Sequence, residues 1–411
     1  MEHKVIPIID EGTGYGRPPQ TFDAELVQVG PGTPGGEFLR RYWHPVAISK
    51  HVTTRPQNVR ILGEDLILFR DGQGRPGLLL PRCAHRGTSL YYGKVDDHGI
   101  RCCYHGWQFD VEGRCIDQPC EPDNGAAHRG KVRQPWYPVE ERYGLVFAYM
   151  GPPAKKPVLP RWDVLEELAP GETVFAHLTS YANAKPDDPS EIVPWNWMQD
   201  WENIMDPFHV PILHTSFSGA QFAPEMAIMP DVTWEYTPLG MIYTAHRTLE
   251  DGRDVDRVSP VLFPNVRSVP DVHLQPGLTR RMRWCVPVDD THHRHFNAQR
   301  VPADFKGYDK QRGRTVGDKI WGDMTEEEHQ DFPHDWEAQL GQGPITLHSE
   351  EHLASSDKGV SMLRRLIRQQ IRLVQQGGDP IGVTFDPDKA LNVVGAGNFY
   401  RERKREDAGA K

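Results

Sequence analysis

The sequence predicts an α+β protein in which an all-β N-terminal domain precedes a mixed C-terminal domain. Residues 40–150 alternate short apolar runs with turns that contain Gly and Asp, as in VRILGEDLILFRDGQGRPGLLLP, which is the pattern of consecutive hairpins. Residues 151–162, GPPAKKPVLPRW, are rich in proline and predict a stiff, extended connector. The region that follows combines strand-like segments with a helical pattern late in the chain.

These features divide the chain into five segments. They are an N-terminal arm at 1–39 that is loosely ordered to about residue 25, a β domain at 40–150, a linker at 151–162, a second domain at 163–400 and a charged tail at 401–411. Late in the second domain, Leu363, Ile367 and Ile371 follow one face of a predicted helix. The arginines at 364–372 predict a solvated face of that helix, with steering of acidic substrates as the alternative.

The composition excludes several classes of protein. The 411 residues are 38% hydrophobic and 25% charged, as expected for a globular chain rather than a disordered one. A formal charge of −10 disfavours a nucleic-acid partner, and no apolar run has the length of a membrane span. The first residues lack the pattern of a secretory signal, so we expect a cytoplasmic protein. In a reducing cytoplasm, clustered cysteines and histidines indicate a metal site.

Two Cys–His pairs lie close together in the predicted β domain. Cys83 and His85 form Cys-x-His, and Cys102 and His105 form Cys-x-x-His. The two residue types alternate, whereas a mononuclear zinc finger normally places two cysteines before two histidines. Two loops that each supply one thiolate and one imidazole suit a binuclear cluster, with both thiolates on one iron and both imidazoles on the other. This is the ligand set of a Rieske [2Fe–2S] centre.

Several residues around these pairs are alternative ligands or support the loops. Gly87 and Gly106 follow the histidines, where the loops must turn tightly. Cys103 forms an alternative Cys-x-His with the same second histidine, and His98 is expected to lie in a surface loop. The other cysteines, which are expected to be structural, are Cys115, Cys120 and Cys285.

A second group of metal-ligand residue types lies in ENIMDPFHVPILH, residues 202–214. Asp206 and His209 share one face of a helix, but His209 and His214 would stand about 140° apart on a regular helix. The histidines can converge on one metal only if the helix is distorted, and Pro211 lies between them. Two histidines and a carboxylate that leave open positions form the non-haem Fe(II) site that activates dioxygen.

Both motifs resemble those of the Rieske non-haem iron oxygenases. CAHRG followed by CCYHGW is similar to the paired cluster motif of this family, and residues 202–214 are similar to its mononuclear-iron motif. The resemblance covers about residues 40–375 and implies that Cys102, rather than Cys103, is the second thiolate ligand. The cluster ligands that it implies are Cys83, His85, Cys102 and His105.

For the mononuclear site, the resemblance implies a role for each motif residue. His209 and His214 correspond to iron ligands, and Asn203 matches the motif as a further catalytic position. Asp206 corresponds to a residue that is not a ligand in this family. It bridges a cluster histidine of the neighbouring subunit to an iron-binding histidine and therefore lies on the electron route.

The third iron ligand is expected far along the chain. The segment HDWEAQLGQGPI, residues 334–345, resembles a late helix of the phthalate-dioxygenase-like members, and the following EEHLASSDKGVSMLRR continues the likeness. Asp335 occupies the ligand position of that helix, with Glu337 and Asp331 as the nearest alternatives.

A further histidine cluster, THHRH at 291–295, looks similar to a metal site. It follows WCVPVDD and is better interpreted as a strand whose alternate histidines point to solvent.

The resemblance also implies the architecture and the electron supply. A Rieske β domain precedes a helix-grip domain, in which an antiparallel sheet is wrapped by helices around mononuclear Fe(II). Family members of this kind form head-to-tail homotrimers, whose heterologous contacts close into a ring. Because no Gly-x-Gly-x-x-Gly fingerprint follows a strand, electrons from NAD(P)H are expected to arrive through a separate reductase or ferredoxin.

The implied reaction is the oxidation of a small aromatic substrate by O₂. The HPV-to-YHGW region is most similar to O-demethylases of the dehydrodivanillate type, so we expect O-demethylation of a carboxylated biaryl in lignin degradation. Ring dihydroxylation by a phenoxybenzoate- or phthalate-type dioxygenase is the alternative. A Rieske electron carrier with a non-catalytic binding domain would lack the mononuclear iron, and a zinc-stabilised interaction module would contain no inorganic sulfide.

Overall fold

Two β-rich regions follow one another in the computed structural model, which describes residues 19–178, 192–219, 221–307, 315–316, 319–320 and 323–402. The strands of the first region are β1 (Trp43–Ile48), β2 (Gln57–Ile61), β3 (Glu64–Arg70), β4 (Pro76–Leu79), β5 (Lys94–Asp96), β6 (Gly99–Arg101), β7 (Gln108–Phe109), β8 (Cys115–Asp117), β9 (Trp136–Tyr137), β10 (Val139–Arg142) and β11 (Leu145–Tyr149). The strands of the second region are β12 (Arg161–Trp162), β13 (Glu172–Leu178), β14 (Asp231–Thr237), β15 (Gly240–Thr248), β16 (Arg253–Leu262), β17 (Val266–Arg267), β18 (Gly277–Leu278), β19 (Arg281–Asp289), β20 (His292–Pro302), β21 (Thr315–Val316), β22 (Lys319–Ile320), β23 (Leu391–Asn392) and β24 (Gly397–Glu402). The α-helices are α1 (Ala24–Val27), α2 (Pro34–Leu39), α3 (Asp163–Glu166), α4 (Trp197–Met205), α5 (His209–Pro211), α6 (Glu326–Asp331), α7 (Asp335–Leu340) and α8 (Lys358–Gln375).

Three small sheets form the first region. Their strand orders are β1-β11-β10, β2-β3-β4-β9 and β5-β6-β7-β8, and every pair in them is antiparallel. Most neighbours in space are also neighbours in sequence, which confirms the predicted hairpins. Two loops adjoin the third sheet. One precedes β5 and the other connects β6 to β7.

One large antiparallel sheet dominates the second region. Its main strand order is β13-β20-β19-β17-β16-β15-β14, and β24 pairs with both β16 and β18. Helix α4 contacts β16 and β19, and α8 contacts β15 and α4, so both helices pack against this sheet. A β domain followed by a helix-covered antiparallel sheet confirms the predicted α+β class.

Helix α8 has the predicted apolar face and one polar side chain that differs from the prediction. Its buried apolar positions include Leu363, Ile367 and Ile371. Arg364, in contrast, is only 7% exposed and pairs with Glu202 at 2.6 Å and Glu351 at 2.5 Å. The predicted solvated face is therefore wrong for Arg364, because two carboxylates from other segments compensate its burial.

The segment before β1 is also packed against α8. Leu26 of α1 and Phe38 of α2 are fully buried, and the Asp23 carboxylate accepts a hydrogen bond from Arg368 of α8. Residues 24–39, which the sequence analysis assigned to the arm, thus contribute to the core. The other parts of the expected arm and tail, 1–18 and 403–411, lie outside the described residues.

The proline-rich linker is attached to both regions. Within it, β12 pairs in parallel with β23, and the Trp43 indole donates to the Pro157 carbonyl at 2.9 Å.

Among the described helices, none combines the length and the hydropathy required to cross a bilayer.

Candidate metal centres

Two loops of the first region have the same hydrogen-bond pattern. The N–H groups of Cys83 and Cys102 each donate to the carbonyl five residues later, at 2.9 Å in both loops. The N–H groups of Gly87 and Gly106 donate back to these cysteines at 2.8 and 3.1 Å. The glycines have φ values of +78° and +74°, which are the left-handed turns predicted for them.

The two thiols of these loops are buried side by side. Cys83 is 3% exposed and Cys102 is 4% exposed. Burial and, to a smaller extent, the neighbouring Cys102 raise the pKa of the Cys83 thiol to about 11. The N–H groups of His85 and Arg86 point at the Cys83 sulfur and favour its thiolate. A metal ion would displace the proton from this sulfur, as thiolate ligation requires.

The imidazoles of the same loops lie together beside Trp107. The ring centroids of His85 and His105 are 4.7 Å apart, and His85 stacks on Trp107 at 4.3 Å with an interplanar angle of 5°. Nδ1 of His105 is buried and has no hydrogen-bond partner. A buried ring nitrogen without a partner fits a metal ligand. Two thiols and two imidazoles on paired loops therefore fit a [2Fe–2S] cluster.

The residues set aside in the sequence analysis lie outside this arrangement. Cys103 is exposed, and His98 interacts with a surface glutamine. Cys115 and Cys285 are buried, whereas Cys120 is exposed and donates to the His105 carbonyl at 3.6 Å.

The chain between α4 and the next helical segment changes its helix type. Asp206 caps the C-terminus of α4, α5 contains His209 and Pro211, and a π-helical turn follows at Ile212–Phe217. A π-helix bonds i to i+5, so residues five apart can share a face. This is the distortion that His209 and His214 require, and it begins directly after the proline.

The two histidines and a distant aspartate converge. Nε2 of His214 lies 3.2 Å from Asp335 Oδ1, and Nε2 of His209 lies 3.7 Å from the same oxygen. The candidate ligand atoms all lie within 4.8 Å of one another. Asn203 donates to Asp335 Oδ1 at 3.3 Å. His214 is buried and the other two are half-buried, so this donor set fits a mononuclear iron with open positions.

Both imidazoles are oriented through their Nδ1 atoms. Nδ1 of His214 lies 2.9 Å from Gln221 Oε1, and Nδ1 of His209 contacts the Asp206 carbonyl. Acceptors at Nδ1 select the tautomer that leaves Nε2 available for a metal. Burial opposes protonation of His209, but the Asp206 and Asp335 carboxylates outweigh it and raise its pKa. The sequence analysis missed Gln221, because no motif spacing marks it.

The alternatives to Asp335 have other surroundings. Glu337 accepts the His334 N–H at 2.9 Å and contacts His329 Nδ1 at 2.7 Å, so it caps the start of α7. Asp331 is exposed at the end of α6. The structure thus places Asp335, rather than either alternative, beside the two histidines.

The THHRH segment differs from its prediction. It begins β20 as expected, but His293 and His295 are completely buried, and only the His292 side chain, at 42% exposure, points outward. The expectation of solvent-facing histidines is therefore wrong for two of the three, because the inner face of β20 lies under α4. Together with Asp200 and Cys285 they form a second cluster of ligand types whose candidate ligand atoms lie within 4.8 Å.

This second cluster already contains a cation. Asp200 Oδ2 lies 3.1 Å from His295 Nε2 and 2.9 Å from Arg267 Nη1. Burial alone would raise the pKa of Asp200, but Arg267 and His295 hold it well below its usual value. Because the guanidinium neutralises the carboxylate, we interpret the cluster as an ion network that connects α4 to the sheet.

Comparison with known proteins identifies the first domain and the family. A family model described as the Rieske [2Fe-2S] domain matches residues 42–137. The chain is 55% identical to the phenoxybenzoate dioxygenase subunit alpha of Ectopseudomonas oleovorans, over 99% of each chain. It is 32% identical to the 5,5'-dehydrodivanillate O-demethylase oxygenase subunit of Sphingobium sp. (strain NBRC 103272 / SYK-6), over 88% of this chain and 82% of that one. The terminal oxygenase of carbazole 1,9a-dioxygenase from Nocardioides aromaticivorans IC177 has a similar fold, with a TM-score of 0.57, 19% identity and coverage of 85% and 99%.

These relatives confirm the family and leave one finer expectation unconfirmed. The preference for an O-demethylase is not confirmed, since the relative at 55% identity is a dioxygenase. An oxygenase subunit implies a separate reductase component, as expected. The chain belongs to the Rieske non-haem iron oxygenases, as an oxygenase (alpha) component of the phthalate-dioxygenase-like type with a [2Fe–2S] domain and a His/His/Asp site suited to mononuclear iron.

Proposed function

We propose that this chain is the terminal oxygenase of a dioxygenase that acts on a carboxylated aryl ether of the phenoxybenzoate type. The observation that carries the proposal is 55% identity over 99% of both chains with a phenoxybenzoate dioxygenase subunit. The O-demethylase relative, at 32% identity, supports demethylation less strongly. Ring dihydroxylation, the alternative reaction, therefore replaces O-demethylation as the favoured one.

The proposal assigns the two metal groups to two sets of residues. When bound, the cluster supplies electrons one at a time, and the mononuclear Fe(II) binds and activates dioxygen. The proposed cluster ligands are Cys83, His85, Cys102 and His105, and the proposed iron ligands are His209, His214 and Asp335.

The remaining polar residues of the iron site orient these ligands. Gln221 and the Asp206 carbonyl set the ring orientation of the two histidines, while the Asn203 amide donates to the Asp335 carboxylate. Loss of such a supporting contact typically lowers metal affinity or activity about 10- to 100-fold.

Asp206 has a second proposed role in electron transfer. Its carboxylate lies 3.7 Å from His209 Nδ1, so it is positioned to connect this histidine to a group outside the chain. We propose that this group is a cluster histidine of the neighbouring subunit in a head-to-tail homotrimer. Replacing Asp206 by Ala is expected to abolish turnover while both metal groups stay bound, and unchanged turnover would exclude the role.

The overall reaction consumes one O₂, two electrons and two protons. Both oxygen atoms add across a ring double bond, which becomes a single bond between two hydroxylated carbons. The electrons originate from NAD(P)H and arrive through the separate reductase, with or without a ferredoxin.

The test supplies the oxygenase with its reductase, 3-phenoxybenzoate and ¹⁸O₂. We expect both labelled atoms in the ring-dihydroxylated product and no formaldehyde. Release of labelled formaldehyde from a methoxylated biaryl acid, with no labelled atom in the aromatic product, would support O-demethylation instead.

Metal analysis separates these enzymes from the non-enzymatic alternatives. The proposal requires about three irons and two acid-labile sulfides per chain, from the two groups together. Two irons that do not increase after Fe(II) is added would indicate an electron carrier. Zinc without sulfide would indicate an interaction module.

A further inference from the structure

Arg247 is a buried cation that has no acidic partner among the described residues. It lies on β15 and is only 2% exposed, and its Nε donates to the Ile228 carbonyl at 2.9 Å. Its Nη1 is buried and makes no hydrogen bond. Burial lowers the pKa of Arg247 to about 10, so the side chain is still charged at neutral pH. A buried charge without a counter-ion is costly, and a bound anion would offset that cost.

The electrostatic surroundings of Arg247 are positive. A second buried arginine, Arg257, lies close enough to lower the pKa of Arg247. Its guanidinium donates to two main-chain carbonyls and one asparagine side chain, all of them neutral. Arg267, on the same sheet, is instead paired with Asp200. The fold thus neutralises one of these three buried arginines with a carboxylate and leaves the other two with neutral partners.

The position of Arg247 connects it to the proposed iron site. The Ile228 carbonyl that it contacts lies two residues beyond Met226, which packs in an apolar cluster with Phe222. The Phe222 ring lies 4.2 Å from the ring of His214. The buried Met226 and the half-buried Phe222 thus connect the surroundings of Arg247 to the iron site. An apolar environment with a buried cation nearby is suited to an aromatic ring that carries an anionic group.

We propose that Arg247 binds the carboxylate of the aromatic substrate through Nη1, with the ring against the Met226–Phe222 cluster. This inference rests on the proposed function and deepens it, since it names the group that selects aromatic acids. A guanidinium forms strong charge-assisted hydrogen bonds with carboxylates. A neutral analogue would leave the cation buried and unpaired, so discrimination against it is expected to be large.

The test measures equilibrium binding to the fully loaded oxygenase by titration calorimetry. The probes are 3-phenoxybenzoate, its carboxamide and diphenyl ether. We expect Arg247→Gln to weaken binding of the acid about 100-fold and to leave binding of the two neutral probes within about threefold. Arg247→Lys keeps the charge but loses the planar donor geometry, so it should weaken acid binding about tenfold. Arg253→Gln, which removes an exposed arginine paired with Asp251, is the matched control and should bind all probes as the wild type does.

Two results with the Arg247 variants overturn the proposal. One is unchanged acid binding in Arg247→Gln or, if that variant does not fold, in Arg247→Lys. The other is an equal loss of acid and neutral probes with normal iron and sulfide content, which would indicate a purely structural arginine. Failure of the proposed function would give a different result. If the protein binds 3-phenoxybenzoate through Arg247 but does not oxidise it, the role of Arg247 stands and the proposed dioxygenase function does not. A wild type that binds no aryl carboxylate would overturn the inference itself.

Discussion

The catalytic domain contains two groups of convergent metal-ligand side chains, which differ in charge and in exposure to solvent. In each group the candidate ligand atoms lie within 4.8 Å of one another. The group of His209, His214 and Asp335 is partly open, whereas the group around Asp200 is completely buried and contains Arg267. The comparison teaches that convergence of ligand types does not by itself identify a metal site. A guanidinium that already neutralises the carboxylate removes the electrostatic need for a metal ion.

The buried network also has a structural relation to the open site. Asp200 lies on α4, one turn before Asn203, and its partners lie on β17 and β20. The network therefore fixes the helix whose C-terminus leads into the iron-binding turn. One group is expected to control metal binding and the other to control stability, and the following changes test that division.

The largest effect is expected for Asp335→Ala. Loss of a ligand should remove one iron per chain, leave the two cluster irons and both sulfides in place, and reduce turnover more than 100-fold, which exceeds the roughly 10- to 100-fold effect of residues that only orient ligands. Iron and sulfide analysis with a turnover assay measures this. Asp331→Ala is the control and should retain all three irons. If Asp331→Ala loses one iron and Asp335→Ala does not, Asp331 is the third ligand and Asp335 is not.

Arg267→Met should act on stability rather than on metal content. It leaves Asp200 buried without its cation, and we expect the free energy of unfolding to fall by about 3–5 kcal/mol, with iron per folded chain unchanged. Urea unfolding followed by tryptophan fluorescence measures the change. The exposed control Arg253→Met should lose less than about 1 kcal/mol. A zinc ion in the wild type that disappears in His293→Gln would show that the network is a metal site after all.

Gln221→Leu should weaken the open site without destroying it. The substitution removes the acceptor at His214 Nδ1, so we expect Fe(II) affinity to fall about 10- to 100-fold while the cluster remains intact. Competition with a chelator measures the affinity. Gln221→Glu keeps an acceptor oxygen and should retain most of the Fe(II) affinity. Equal losses of affinity in the two variants would argue against an orienting role.

The smallest effect is a pH dependence that arises from the buried network. Burial lowers the pKa of His295 to about 3 from 6.5, so between these values the unfolded chain binds a proton that the folded chain does not. Stability contributed by this residue is therefore lost as the pH falls below 6.5, by up to about 2 kcal/mol between pH 6.5 and 5. Unfolding free energies at both pH values should show a smaller decrease for His295→Gln than for the wild type. Identical decreases would assign the acid sensitivity to other groups.

A site is predictable from the sequence when its residues lie close together along the chain. The cluster loops and the histidine pair were predictable because each motif lies within one short segment, and Pro211 even predicted the helix distortion. Asp335, more than a hundred residues away from them, could be placed only by resemblance.

Other features were unpredictable because they depend on contacts between segments. Helical spacing around Arg364 cannot reveal that Glu202 and Glu351 lie opposite it. Strand alternation in THHRH predicts which histidines share a face, but not which face is buried. Gln221 becomes recognisable only when the π-helical turn is known.

That turn has a consequence for which insertions and deletions this segment can accept. A regular α-helix aligns residues three or four apart, whereas the π-helical turn after Pro211 accommodates one residue more. Deleting a single residue between the two histidines would thus restore ordinary helical spacing. If the shortened segment kept its π-helical hydrogen bonds instead, every later side chain of the turn would rotate by roughly 100° and Gln221 would move away from its imidazole. Chain length and helix type at this point can therefore change only together, so we expect single-residue length variants that keep the π-helical turn to lose the iron site.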